Sequence, residues 1–205
     1  TGDLACSTYA PPGPANGRIY VDKNGIGAPD GKSWTTAYRT LGHALLQSNA
    51  DNTIHEIWMA DGHYPVTSNA TQDTSFKMTR TVDIYGGFAG FETSITQRNI
   101  IQNITMFSGE TGDTNLISDN CYHVMEITNT VDTVILDGLH ICCGYADGPA
   151  DTFGGGMFVS MTNREPVKLI QCTLESNYAI QGSSIYNQGK MIIEGSAIIN
   201  EVVEG

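Results

Sequence analysis

Asp137 and Glu194 close two short apolar runs of the same design, VILD and MIIE. Two carboxylates facing one sugar bond are what glycoside hydrolysis requires, one as acid and the other as base or nucleophile. In a stack of strands both would stand in one outward column, with Ile170 between them. Two strand spacings of ~4.8 Å would then separate their backbones by about 9.6 Å. A polysaccharide lyase would instead need a basic residue beside acidic calcium ligands that neutralise a uronate. Beyond residue 50 the arginines are Arg80, Arg98 and Arg164, and none adjoins an acidic cluster in sequence. If the chain is an enzyme, Asp137, Glu194 and Arg80 are the catalytic candidates. The plainer reading is solvated acids on an acidic surface.

A second constellation is YVDKNGIGAPDGKSW, Tyr20 to Trp34. Asp22, Asn24 and Asp30 could form an oxygen cage for calcium. An EF-hand loop, however, would need an oxygen ligand where Ile26 sits and a Glu where Ser33 sits. Asp30-Gly31 is ordinary turn chemistry. The run therefore reads first as a turn between a strand and a helix, and second as a calcium site. The histidines His43, His55, His63, His123 and His140 show no metalloprotease spacing and read as surface or turn residues. The five cysteines are Cys6, Cys121, Cys142, Cys143 and Cys172. None has zinc-ribbon spacing, so they read as small buried hydrophobes whose pairing is open. FGGG lacks the phosphate-loop pattern and reads as a corner in the chain.

The elements that must carry these residues repeat. IWMAD, VDIYG, TMFSG, VILDG, VKLIQ and MIIEG begin 23 to 33 residues apart. Gly86, Gly109, Gly138 and Gly195 follow four of them, as a corner of positive φ or close backbone approach would require. Alternation defines two inward columns: Ile57, Val82, Thr105, Val134, Val167 and Met191, then Met59, Ile84, Phe107, Leu136, Leu169 and Ile193. Past the corner the apolar pattern resumes at Leu139 and Ile141, and at Cys172 and Leu174. A strand, corner, strand, loop unit recurring in this way is that of an all-β, right-handed parallel β-helix. An antiparallel sandwich has similar spacing, but hairpin signals between the segments are sparse.

Between Thr35 and Ser48 the period becomes helical, with Ala37, Leu41, Ala44 and Leu45 on one face. Ser33 or Thr35 could cap this helix. It precedes the first rungs, and an open β-helix end needs a lid, so it reads as an amphipathic capping helix. Residues 1–19 read as an N-terminal extension and 20–205 as one β-helix domain, with six or more rungs from about residue 54. Apolar Ile198, Ile199, Val202 and Val203 run almost to Gly205 without a second cap. The C-terminal end therefore reads as incomplete, its partner being further rungs or another chain.

Composition narrows the function. The formal charge of −12 would repel a nucleic-acid duplex or an anionic membrane, and no Lys/Arg cluster offsets it. No run approaches the ~20 apolar residues of a membrane span. No signal peptide is visible, but a mature secreted chain would have lost it.

The order YVD, DGKSW, the helix, IWMADGHY, YGGFAGFE, QRN and SGE, from Tyr20 to Glu110, resembles the N-terminal part of secreted bacterial right-handed parallel β-helix proteins of Bacteroidetes type. The later GGMF, GSSI and LESN resemble more loosely the GGAI and FxxN marks of polymorphic outer-membrane-protein repeats, with Leu174 where Phe is usual. The resemblance implies export, a place at the cell surface and often adhesion; it implies no single chemistry.

Outward positions are unexpectedly apolar. Trp58, Met106, Ile135 and Ile192 fall in one outward register, and Tyr85 and Ile170 in the next. Such a stripe is covered either by the long inter-rung loops or by a ligand or partner. Three functions are expected of the chain. The first is a non-catalytic secreted or surface module for adhesion or glycan binding; the others are a lyase or hydrolase, and a structural stalk. An aromatic platform without an acid–base cluster would favour the first.

Overall fold

The computed structural model describes residues 16–66, 71–149 and 151–199. The chain winds as a parallel β-helix. Its first sheet stacks Arg18–Val21, Glu56–Ala60, Asp83–Phe88, Val134–Asp137, Val167–Ile170 and Met191–Glu194. The second stacks Gly62–Pro65, Thr105–Ser108, Leu139–Cys142, Thr173–Glu175 and Ala197–Ile199. The third holds Phe76–Met78, Met125–Ile127, Met157–Val159 and Ile185–Asn187. A short ladder of Tyr145–Ala146 and Tyr178–Ala179 lies between the second and third sheets along the chain.

Each sheet turns alternate residues into a common core. Ile19, Ile57, Ile84, Leu136 and Leu169 form one continuous column from the first sheet. Tyr64, Phe107, Ile141 and Leu174 form that of the second, and Phe76, Met125 and Met157 that of the third. Stacking of like apolar residues is what a parallel ladder imposes once one face is buried.

The register differs from the sequence-based one in two places. Ile57 pairs with Ile84, not with Val82. A slip of two residues keeps every side chain on its own face, so alternation alone does not detect it. Thr105–Ser108 is not a rung of the first sheet. It lies in the second, between Gly62–Pro65 and Leu139–Cys142.

The corners explain the glycines. Gly138 and Gly195 sit at φ +70° and +58°, and Gln171 takes the same corner at +50°. The next corner is formed by Gly109, Cys143 and Ser176, the last two at φ +66° and +52°. Asn177 of LESN braces it: its side-chain amide donates to the carbonyls of Ile141 and Glu175, and its oxygen accepts the Gly144 N–H, all at 3.0 Å. A buried amide satisfied on both sides ties neighbouring rungs together.

The helix spans Leu41–Ala50, later than the expected 35–48. Thr40 caps it, its hydroxyl accepting the His43 N–H at 3.2 Å, so neither Ser33 nor Thr35 is the cap. Residues before Thr40 stay with the first strand, Tyr38 bridging Val21. Ala37, Leu41, Ala44 and Leu45 are all buried, and the helix lies against the first strands of the first and third sheets, as a lid does. Arg18 and Ile19, read as extension, belong to the first strand. Of the first sheet's six strands, five follow the helix. In the last described rung Ile193 and Ile198 are each 46% exposed, whereas Leu169 and Leu174 beneath them are fully buried. Val202, Val203 and Gly205 lie outside the described residues.

Candidate functional site

The expected apolar stripe is taken apart by the fold. Trp58 shares its outward row with Tyr85, and the row continues through Asp137, Ile170 and Glu194. Ile135 and Ile192 belong to the neighbouring row, with Lys168 between them. Met106 is on the second sheet, between His63 and His140. Trp58 is buried. Phe88 stacks on it at 4.4 Å and 15°, the Arg18 guanidinium lies 3.5 Å over its ring, and Tyr20 packs edge-on. Trp34 touches Tyr20 and Phe88 and donates its indole N–H to the Glu92 carbonyl at 2.8 Å. The loop after Phe88 is itself wound around Glu92, whose carboxylate accepts the N–H groups of Ala89, Gly90 and Phe91. Chain loops therefore cover the start of the stripe. Ile135 and Ile170 are half-buried, and only Ile192 is open.

The catalytic candidates do not converge. Arg80 donates to the carbonyls of Ser48, Asp51, Asn52 and Ile54, clamping the end of the lid helix to the first sheet. A cation on the last carbonyls of a helix is a favourable structural placement. Asp137 is buried and paired with Arg98 at 2.6 Å. Glu194 stands exposed two strands away, beyond Ile170. Arg98 comes from a loop 39 residues before its partner and also donates to the Gly86 and Asp137 carbonyls.

The neighbouring row carries a second acid, partly buried. Asp83 accepts the Ile135 N–H at 2.8 Å and faces the Tyr85 hydroxyl at 3.5 Å. Burial, reinforced by the nearby Glu56, raises its carboxyl above the ordinary value despite the Ile135 hydrogen bond. Burial and the Asp83 charge together push Tyr85 up to about 12. A carboxyl raised by folding binds its proton more tightly in the native state, so its contribution is favourable in acid and is lost as pH rises through the folded value. Asp83→Asn keeps an oxygen for the Ile135 N–H. It is expected to raise the melting temperature at neutral pH by about 2 °C. In acid, where neither side chain is charged, the gain should disappear; thermal melts across pH check this.

The calcium candidates serve their own loop. Asp22 accepts the Asn24 N–H at 2.8 Å, and Asp30 the Lys32 N–H at 3.0 Å. Hydrogen bonds from Thr36 and Lys32 hold the Asp30 carboxyl below its ordinary value. Among the described residues no three His, Cys, Asp or Glu side chains gather as a metal site requires. Tyr20 to Trp34 is a turn that returns the chain to its first strand before the helix, as the Tyr20 N–H to Gly31 and Tyr38 N–H to Tyr20 bonds show.

A different surface gathers the aromatic rings. On the outer face of the third sheet Phe158 and Tyr186 are cross-strand neighbours, 5.9 Å apart and nearly parallel at 17°. Phe153 closes on Tyr186 at 4.5 Å, and His123 on Phe158 at 5.8 Å. On the short ladder Tyr145 and Tyr178 stack at 4.7 Å and 22°, with Ala146 and Ala179 turned inward. The Tyr145 N–H donates to Cys121 as the Tyr178 N–H does to Gly144, so Tyr122 precedes them in register. Residues 153–155 join the two stacks; a side chain at Gly155 would fall 2.2 Å from the Tyr178 carbonyl oxygen. Tyr178 is 46% exposed, and the other rings are half-buried. Asp151, 3.7 Å from His123, stands at the rim.

Sequence reasoning missed this surface although its signal was present. GGMF and GSSI lie on adjacent strands of the ladder with an offset of one residue, so that Phe158, the last of GGMF, faces Tyr186, the residue after GSSI, and these are the stacked pair. Parallel pairing sets like positions ~4.8 Å apart, a spacing at which aromatic rings stack. The chain matches no protein-family model, no curated protein and no solved structure.

Proposed function

We propose that the chain is a non-catalytic glycan-binding module of a secreted or cell-surface β-helix protein, kin to the bacterial proteins whose motif order it resembles. The observation that carries this is the half-exposed double row of rings, Tyr145 with Tyr178 and Phe158 with Tyr186, on a rigid stack of rungs. A flat aromatic face accepts the C–H face of a sugar ring, and the neighbouring polar side chains orient its hydroxyls. Rings held by rung pairing are already ordered, so binding loses little side-chain entropy. The net charge of −12 selects neutral glycans, since a uronate-rich polymer would be repelled. Asp137 is engaged by Arg98, which argues for binding over hydrolysis.

A glycan array carrying neutral and uronate polymers, run beside an assay for unsaturated uronate products, tests the reading. Retention of neutral glycans is expected, with no product. Tyr178→Ala and Tyr186→Ala should each weaken binding about tenfold, which corresponds to ~1.4 kcal/mol. Both replace a partly exposed ring, so the melting temperature should move little. Product formation would establish the lyase reading, and a folded protein that retains no glycan would leave a stalk.

A further inference from the structure

Cys142 and Cys143 are neighbours in sequence, and their Sγ atoms lie 3.1 Å apart. The peptide that joins them is held by both adjoining rungs. Its carbonyl accepts the Gly109 N–H at 2.9 Å, and its N–H donates to the Ser176 carbonyl at 3.1 Å. Cys143 takes the left-handed corner at φ +66°, where the rungs on either side have Gly109 and Ser176. The two thiols are thus held together by the turn of the β-helix itself. Ser108 lies in the same ladder, opposite Cys142. The two sulfurs are not equivalent. Cys142 is 6% exposed, whereas Cys143 is half-buried. The hydrogen bond with Cys142 lowers the Cys143 thiol below its ordinary value against the opposing effect of burial, while Cys142 is pushed up by the same contact and by burial.

We propose that Cys142 and Cys143 are a modification site that closes to a reversible vicinal disulfide by exchange with small-molecule disulfides. The Cys143 thiolate attacks one sulfur of the reagent, forming a mixed disulfide and releasing one thiolate, which takes up a proton. Cys142 then loses its proton and attacks the Cys143 sulfur, expelling the second thiolate, which is protonated in turn. The pair is oxidised by two electrons, and one reagent disulfide becomes two thiols. The α-carbons of adjacent residues are about 3.8 Å apart, below the usual ~4.4–6.8 Å of disulfides. The ring is strained and readily reopened, which makes the pair a reversible element instead of a structural staple.

The test equilibrates the intact chain in oxidised and reduced glutathione at a series of ratios, followed by acid quench, denaturation, alkylation and peptide mass mapping. The sequence has five cysteines, and fully reduced chain should alkylate at all of them. As the buffer becomes more oxidising, two alkylation sites should be lost together from the peptide carrying Cys142 and Cys143, with two hydrogens lost from its mass, and return on reduction. Retention of both sites at every ratio, or loss through pairing with Cys6, Cys121, Cys172 or a second chain, would overturn the proposal. Cys142→Ser should hold a stable glutathione adduct on Cys143, and Cys143→Ser should hold none while folded. An adduct forming on Cys142 as readily as on Cys143 would overturn the order of attack. The wild-type titration stands even if a variant misfolds.

Discussion

Leu136→Asp is expected to leave the chain without a cooperative unfolding transition. Leu136 is fully buried between Ile84 and Leu169 in the first-sheet column. Loss of its side chain alone removes ~2–5 kcal/mol. The aspartate would then stand in an apolar column with no partner, which adds several kcal/mol whether it stays charged or takes up a proton. Together these match the ~5–15 kcal/mol that keeps a domain folded. A solenoid has a further weakness, because each rung is stabilised only by its neighbours, so a failed rung uncouples both sides of the stack. Far-ultraviolet circular dichroism during heating, with binding of a hydrophobic dye at low temperature, measures the outcome. A sharp transition within a few degrees of the parent would show that Leu136 is not in the column.

Arg98→Ala is expected to lower stability by about 3–5 kcal/mol, the usual loss when one partner of a buried ion pair is removed. The two side chains are 13% and 9% exposed, so water does little to screen or replace the contact. Deleting the guanidinium strands the Asp137 carboxylate and two backbone carbonyls, and releases the loop that Arg98 ties to the first sheet. The pair Lys77–Glu126, at 3.5 Å with the lysine 54% exposed, belongs to the class that contributes little. The double variant Arg98→Met, Asp137→Leu should recover most of the loss, because it removes the stranded charge as well as its partner. Urea unfolding of the three proteins separates these effects. A double variant as unstable as Arg98→Ala would show that Arg98 acts through the loop and not through Asp137.

Much of the core was legible before any coordinates. Val134, Val167 and Met191, and Leu136, Leu169 and Ile193, stack as their alternation implies. Leu41, Ala44 and Leu45 cover the end of the β-helix as their spacing implies, whereas Ala37, also buried, lies before the α-helix. These are periodic signals, and a buried face repeats in sequence because every rung must meet the same core. Which sheet a strand joins is not periodic. Thr105–Ser108 alternates as a first-sheet strand would, and only its pairing with Gly62–Pro65 and Leu139–Cys142 places it in the second sheet.

The surface was least legible, because contacts across it join residues unrelated by any period. The outward position of Trp58 was readable; its burial under Phe88, Tyr20 and Arg18 was not. Asp137 was readable as an outward acid, but its partner was Arg98 rather than Arg80, whose guanidinium is committed to the lid. The sequence by itself determined the faces of the strands, the presence of a lid and the acidic charge, all of which follow from side-chain type and local spacing. The tertiary structure alone decided how rungs of unequal length come into register. That register places Tyr145 over Tyr178 and Phe158 over Tyr186, because backbone hydrogen bonding between rungs, and not spacing along the chain, sets which side chains become neighbours.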